Sequence, residues 1–156
     1  MLTEKIKQEI EERLGKYLNR KSAVMDALMI VQRSIDGNLT KENMEEVAAL
    51  LGLEPVAVNA VAAFYTMYNH RRHVGRYHIQ VCRNITCSLL GAEHLVEHIE
   101  RVLKIKTGHT TKDNKFTLST VECLGSCGTA PMMQINDDYY ENLTVEAIDG
   151  ILKGLE

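Results

Sequence analysis

The residues with the clearest potential for chemistry are four cysteines, and the chain has no others. Cys82 and Cys87 form a C-x4-C pair, and Cys123 and Cys127 form a C-x3-C pair further along. Thiolate sulfur binds zinc and iron–sulfur clusters, and it also exchanges with disulfides. Because no cysteine is left over, we interpret the two pairs as parts of one site.

Three kinds of site use cysteines in pairs. Two-iron clusters take four cysteine ligands, and a C-x4-C pair also begins the plant-type ferredoxin pattern, although the second pair here departs from that pattern. Zinc sites commonly space their ligands two to four residues apart, so a zinc site stays an alternative. Thiol–disulfide exchange normally uses C-x-x-C at the start of a helix, which this chain lacks. The spacing therefore favours a cluster over zinc and zinc over a redox dithiol.

Composition and charge argue against several other classes of protein. The chain has 156 residues, enough to bury a core without disulfide bonds. Its net charge is −3 with both signs mixed along the sequence, which disfavours nucleic-acid binding. No apolar run approaches the roughly 18 residues of a membrane span, and the amphipathic N-terminus is unlike a signal peptide. We expect a cytoplasmic protein without direct membrane insertion, in which paired cysteines serve as metal ligands or redox groups.

Residues 1–72 are predicted to form a helical domain from four apolar stripes at helical spacing. The stripes comprise Leu2, Ile6, Ile10, Leu14 and Leu18; Val24, Ala27, Leu28 and Val31; Met44, Val47, Ala48 and Leu51; and Val58, Val61, Ala62, Tyr65 and Tyr68. Ser22 and Thr40 are predicted to cap the second and third helices, Gly52 to end the third, and Pro55 to begin the fourth. We expect this domain to serve packing and docking.

Two polar segments interrupt this region. Asp36-Gly37-Asn38 is predicted to be a turn after the second helix. Residues 70–76 form a short basic linker, and most segments of this kind are simply solvated, while a minority contacts an acidic partner.

Residues 73–156 are predicted to form an α/β domain in the order β-α-β-β-α. The strand signals cover Tyr77–Cys82, Phe116–Cys123, Pro131–Ile135 and Tyr139–Tyr140. Ser88 is predicted to cap the helix between the first two strands, and Thr144 is predicted to cap the last helix. A right-handed crossover makes the first two strands parallel. If they are also neighbours in the sheet, both cysteine loops emerge at the same edge.

The surroundings of the cysteines suit an anionic group. A helix that begins near Ser88 would point its N-terminal amides toward Cys87. Gly125 and Gly128 would let the backbone approach sulfur closely, so we expect Gly125→Val to crowd the backbone against sulfur. The N–H donors of this loop and the charge of Arg83 would raise the reduction potential of a cluster.

The chain resembles the thioredoxin-like two-iron ferredoxin family over nearly its whole length. Six segments carry the resemblance: Cys82–Cys87, Leu90–Ala92, Cys123–Cys127, Ala130–Asn136, Val61–Tyr65 and Tyr139–Thr144. The family includes the E-type subunit of bacterial NADH:quinone oxidoreductase (respiratory complex I) and the small iron–sulfur subunits of NAD-linked hydrogenases and formate dehydrogenases. Which of these three kinds of complex this chain serves stays open at this point.

The resemblance implies an α+β chain, with an N-terminal helical bundle followed by a thioredoxin-like α/β domain that has a four-stranded mixed sheet. It implies that Cys82, Cys87, Cys123 and Cys127 ligate one 2Fe-2S cluster and that no residue is catalytic. The cluster would exchange electrons with the flavin of a larger iron–sulfur subunit that binds FMN and NAD(H), with further redox subunits in the complex. A cis peptide bond before Pro131 is a further hypothesis. A zinc-stabilised interaction module is the alternative function.

No second site is predicted from the sequence. The chain has no G-x-G-x-x-G and no Walker-type loop, so we do not expect it to bind NADH or flavin by itself. His94 and His98 lie four residues apart on one helix and could bind a metal, but both are predicted to be exposed. Tyr139 and Tyr140 are predicted to pack across strands rather than to relay electrons. Alone, the chain is expected to show no turnover with NADH.

Overall fold

The computed structural model describes residues 1–35, 37–71 and 73–155. The chain divides into two compact units, Met1–His73 and Val74–Glu156, and each has its own hydrophobic core. Asp36 in the predicted turn and Arg72 in the predicted basic linker lie outside the described residues.

In the described part of the chain, the first unit contains four α-helices and one short 3-10 helix. The α-helices are α1 Glu4–Leu14, α2 Val24–Ser34, α3 Lys41–Leu51 and α4 Pro55–Phe64. As predicted, Thr40 caps α3 in a capping box with Asn43, a left-handed Gly52 ends it, and Pro55 begins α4. Most residues of the predicted stripes meet in one core, in which Leu28, Val47 and several other side chains are fully buried. Leu18 and Tyr65 were predicted to belong to it but are exposed, and Leu18 lies beyond α1, which ends at Leu14.

Two further details of the first unit differ from the prediction. Ser22 is not a helix cap, because the side chain of Asn19 accepts its N–H at 3.0 Å and starts the 3-10 helix Arg20–Ala23 that leads into α2. Helix α4 ends at Phe64, so Tyr65 and Tyr68 follow it.

The second unit is built on a four-stranded mixed sheet in the order β2-β1-β3-β4. Its strands are β1 Tyr77–Cys82, β2 Phe116–Val121, β3 Met133–Ile135 and β4 Asp138–Tyr140. As predicted, β1 and β2 are parallel, with Tyr77 opposite Phe116 and Cys82 opposite Val121. Strand β3 pairs antiparallel with both β1 and β4.

Strand β2 is two residues shorter than predicted, which moves Cys123 from the strand into the following loop. The N–H of Arg83 donates to the carbonyl of Val121 at 2.9 Å. Beyond that bond, the chain after β1 turns into a helix, so Glu122 and Cys123 have no neighbouring strand with which to pair.

Three α-helices and the short 3-10 helix Cys127–Thr129 complete the second unit within the described residues, and the α-helices are α5 Ile85–Leu89, α6 Ala92–Leu103 and α7 Val145–Gly154. Thr144 caps α7, as predicted. Ser88 does not cap a helix, because it lies inside α5, which begins earlier with Asn84 as its cap. Helix α6 starts separately after Gly91, packs against β1 and β2, and contacts α7. None of the helices in the described residues is long and apolar enough to cross a membrane.

Candidate metal centre

Both cysteine loops lie at the same edge of the sheet, because β1 and β2 are parallel neighbours and end there together. Cys82 is the last residue of β1, and Cys87 lies within α5. Cys123 follows β2 by two residues, and Cys127 begins the 3-10 helix Cys127–Thr129. All four thiols are free. We call residues 82–87 the first loop and residues 123–127 the second loop.

The first loop is anchored in the core of the second unit. Cys82 and Cys87 are both buried and belong to its hydrophobic cluster. The N–H of Cys82 donates to the carbonyl of Met132 at 3.2 Å, and the side chain of Asn84 accepts the N–H of Ile85 at 3.0 Å. These bonds fix the chain on both sides of Arg83, between the end of β1 and the start of α5.

Burial raises the pKa of the Cys87 thiol to about 11, and a hydrogen bond with Cys82 acts in the same direction. The backbone N–H of Met132, which bonds to the sulfur of Cys87, favours the thiolate and opposes this rise. Cys127 adds a smaller rise, since two thiolates repel each other. The second loop therefore brings at least one sulfur within electrostatic range of the first.

The second loop is largely open to solvent, although Leu124 packs against the hydrophobic core. Cys123 and Cys127 are both exposed, and the N–H of Gly125 donates to the Sγ of Cys123 at 3.3 Å. Gly125 has φ +79°, in the left-handed region. A Cβ built at Gly125 or Gly128 would meet no atom within 4 Å, so the predicted crowding by Gly125→Val is wrong. Glycine is required at position 125 by backbone conformation instead.

The structure brings Cys82 and Cys87 into hydrogen-bonding contact and places Cys127 within electrostatic range of Cys87. Among residues 1–35, 37–71 and 73–155, no group of three or more His, Cys, Asp or Glu side chains could hold a metal ion as it stands. The donor set nevertheless fits a two-iron cluster, which takes four thiolates. N–H donors on the sulfurs, here from Met132 and Gly125, suit the negative charge of such a group.

The predicted helix dipole near Cys87 and the predicted effect of the Arg83 charge both differ from what the structure shows. No helix begins at Ser88 to direct its amides toward Cys87, since Cys87 lies inside α5 itself. The Nε of Arg83 is 3.8 Å from the Oε1 of Glu122, which offsets its charge. This exposed ion pair joins the first loop to the residue before Cys123.

The contacts of Tyr139 were not foreseen from the sequence. The residue is 50% exposed, and its hydroxyl donates to the carbonyl of Leu124 at 2.8 Å. The packing prediction is confirmed for Tyr140, which lies opposite Met133 and is partly buried against the core. Tyr139 lies opposite Gln134 of β3 and adds the contact with Leu124. Ser126 and Thr129, two hydroxyl residues that flank Cys127, were the available signal that this loop is held by polar contacts.

The histidine prediction is confirmed for His94 and wrong for His98. The side chain of His94 is 84% exposed. His98 is buried: its Nε2 lies 2.7 Å from Asp149 of α7, and its Nδ1 lies 2.9 Å from the guanidinium of Arg101. Because α7 covers this flank of α6 and both ring nitrogens have partners, the imidazole is accommodated in the interior.

The Ala130–Pro131 peptide bond is cis, which confirms the hypothesis of a cis peptide bond before Pro131.

Comparison with known proteins gives consistent results. Residues 10–156 match the model of the thioredoxin-like [2Fe-2S] ferredoxin family. The chain is 47% identical over 148 residues to an E-type subunit of NADH-quinone oxidoreductase from Rhizobium meliloti, across 95% of this chain and 87% of that protein. It is 41% identical over 149 residues to NADH-quinone oxidoreductase subunit 2 of Thermus thermophilus, across 94% and 81%.

Two further similarities are to longer proteins. The mitochondrial NADH dehydrogenase [ubiquinone] flavoprotein 2 of Dictyostelium discoideum is 44% identical over 138 residues, which span 87% of this chain and 56% of that protein. The crystal structure of an NAD+-reducing [NiFe]-hydrogenase in the H2-reduced state matches with a TM-score of 0.73 and 22% identity. That match covers 85% of this chain but only 22% of the hydrogenase chain, and it shows likeness of fold alone.

Proposed function

The chain belongs to the thioredoxin-like [2Fe-2S] ferredoxin family. From this premise we propose that it is an electron-transfer subunit with one 2Fe-2S cluster. The cluster exchanges electrons with the flavin of a partner subunit. When bound, the cluster supplies one-electron chemistry. The proposed ligands are Cys82, Cys87, Cys123 and Cys127. The observation that carries the proposal is the pair of free-thiol loops at one edge of the sheet, with Cys127 in electrostatic range of Cys87.

The residues of this chain would do two things for the cluster. They supply thiolates, and because Cys87 is protonated at neutral pH, its ligation releases a proton. They also supply N–H donors from Met132 and Gly125, which stabilise negative charge on sulfur and thereby raise the reduction potential.

We assign the remaining cofactors to other subunits. The chain has no Gly-rich dinucleotide or phosphate loop, so FMN and NAD(H) are proposed to bind to a larger iron–sulfur partner subunit, with further redox subunits beyond it. Relatives named as subunits of NADH-quinone oxidoreductase support an NADH-linked complex. We propose that the chain works in the cytoplasm and meets a membrane only through that complex.

Anaerobic purification followed by metal analysis tests the cluster. We expect reddish-brown protein with about two irons per chain, and its colour should bleach on reduction with dithionite. Colourless protein with stoichiometric zinc would contradict the proposal and support a zinc-stabilised interaction module.

Assays with NADH test the division of labour. The isolated chain with its cluster should not oxidise NADH, whereas its cluster should become reduced when the copurifying flavin subunit and NADH are both added. Oxidation of NADH by the isolated chain would show that the flavin and NAD(H) sites were assigned to the wrong subunit.

A further inference from the structure

The second loop is exposed, yet one short segment holds it at several points. This segment is residues 139–142, which include the end of β4 and the residues after it. The hydroxyl of Tyr139 donates to the carbonyl of Leu124 at 2.8 Å, in the middle of the loop. The N–H of Asn142 donates to the carbonyl of Thr129 at 2.7 Å, just beyond the loop.

Glu141 makes the contacts nearest to a proposed ligand. Its Oε1 accepts hydrogen bonds from the hydroxyls of both Ser126 and Thr129, the latter at 2.5 Å. Ser126 immediately precedes Cys127, and Thr129 follows it by two residues, so one carboxylate oxygen brackets the cysteine. The bonds from Ser126 and then Thr129 lower the pKa of Glu141, so the carboxylate is ionised at neutral pH.

The hydrophobic core contacts Leu124 of the second loop but holds neither of its cysteines. Cys82 and Cys87 are held by burial, but Cys123 and Cys127 are exposed and contribute nothing to the buried cluster. An exposed loop samples many conformations unless specific contacts restrict it. Hydrogen bonds to an ionised acceptor are stronger than neutral ones, and two of them converge here on the residues beside Cys127.

We propose that Glu141 is a positioning residue of the cluster site: it holds Cys127 in place for ligation through Ser126 and Thr129, and it sets one negative charge beside the second loop. This inference rests on the proposed function. It has two separable consequences, because hydrogen bonding controls how well the loop is held, whereas the negative charge disfavours addition of an electron and so lowers the reduction potential.

Two substitutions separate the two consequences. Glu141→Gln keeps an oxygen acceptor but removes the charge, and Glu141→Ala removes both. We expect Glu141→Ala to speed loss of the cluster to an iron chelator at least about tenfold, because it loses both charge-assisted hydrogen bonds. Glu141→Gln should stay within about threefold of the wild-type rate, since the acceptor remains. Both variants should have a higher reduction potential in an EPR-monitored titration.

A double-mutant cycle tests whether Glu141 acts through the two hydroxyls. The Ser126→Ala/Thr129→Ala variant should reproduce the faster cluster loss of Glu141→Ala, and adding Glu141→Ala to it should change little further. Glu97→Gln, an exposed carboxylate on α6, is the matched control for charge and should leave both the rate and the potential unchanged.

Hydrogen exchange in the cofactor-free chain distinguishes a local effect on the loop from a general folding defect. In the cofactor-free chain, Glu141→Ala should speed hydrogen exchange of the amides in residues 124–130 while the β1 amides keep their protection. Loss of protection throughout the second unit would instead indicate a structural role and overturn the inference.

The outcomes also distinguish this inference from the function on which it rests. If the wild-type chain binds no iron, both fail. If the wild-type chain holds the cluster but Glu141→Ala releases it at the wild-type rate with an unchanged potential, the positioning role alone is wrong.

Discussion

The two cysteine loops lie at one edge of one sheet, yet different forces hold them. The first loop places Cys82 and Cys87 in the hydrophobic core, so their positions are fixed when the second unit folds. The second loop packs Leu124 against the core but leaves Cys123 and Cys127 exposed, and hydrogen bonds from residues 139–142 restrain it. Substitutions of Cys82 or Cys87 should therefore affect folding and ligation together, whereas substitutions of Cys123 or Cys127 should mainly affect ligation.

Thiol reactivity in the cofactor-free chain should show the largest difference between the loops. With a pKa of about 11, only about one Cys87 thiol in a thousand is ionised at pH 8, and burial further hinders its access to reagent. We expect iodoacetamide to label Cys123 and Cys127 well before Cys82 and Cys87, as followed by peptide mass spectrometry. Equal labelling rates at all four positions would contradict the difference in burial.

The same pKa gives a pH dependence with a definite sign. Because the folded state raises the pKa of Cys87 from 9.0 to about 11, it holds this proton more tightly than the unfolded state does. The protonated Cys87 thiol therefore makes its full contribution to the free energy of unfolding below pH 9, and this contribution is lost as the pH rises toward 11. Labelling of Cys87 should speed up about tenfold for each pH unit between 8 and 10.

Serine substitution should separate the loops by stability. Cys87→Ser puts a hydroxyl among buried apolar groups and should lower the free energy of unfolding by about 1–3 kcal/mol. Cys127→Ser, at an exposed position, should stay within about 0.5 kcal/mol of the wild-type value. Hydrogen exchange of the β1 amides in the cofactor-free chain measures the free energy of unfolding of both variants. Equal losses of stability in the two variants would contradict the difference between the loops.

Within the second loop, the two glycines should respond differently to substitution. Gly125→Val forces a β-branched residue into the left-handed region and should cost at least about 1–2 kcal/mol in loop stability, with poorer iron retention. Gly128→Val is the matched control, because no atom lies within 4 Å of its Cβ position and its φ is not positive. Similar iron content in both variants would show that the φ of Gly125 is not critical.

The smallest effect should come from the ion pair that joins the loops. Arg83 and Glu122 are 59% and 88% exposed, and exposed pairs of this kind contribute about 0–1 kcal/mol. We expect Arg83→Gln to change the unfolding free energy by less than about 0.5 kcal/mol and to leave the iron content unchanged. A large loss of stability would mean that the loops depend on each other more than their burial indicates.

The first loop was more predictable from the sequence than the second. Alternating apolar residues in β1 and a right-handed crossover correctly placed both loops at one edge. The start of α5 was missed because Asn84 and Ser88 are both good caps, and only the fold determines which one is used.

Other errors arose from contacts between residues distant in sequence. His98 was predicted to be exposed from the pattern of α6 alone, which carries no information about the α7 carboxylate that reaches it. The roles of Tyr139 and Glu141 likewise depend on a loop more than ten residues away along the chain. Hydrogen bonds of this kind leave no periodic signal, whereas buried apolar positions do.

The most direct test of a cluster shared by both loops is the EPR spectrum of the reduced chain, compared with the spectra of four single Cys→Ser variants at Cys82, Cys87, Cys123 and Cys127. We predict a two-iron spectrum for the wild-type chain and an altered or lost spectrum for every variant, whichever loop it lies in. An unchanged spectrum in both variants of one loop would contradict ligation by four cysteines.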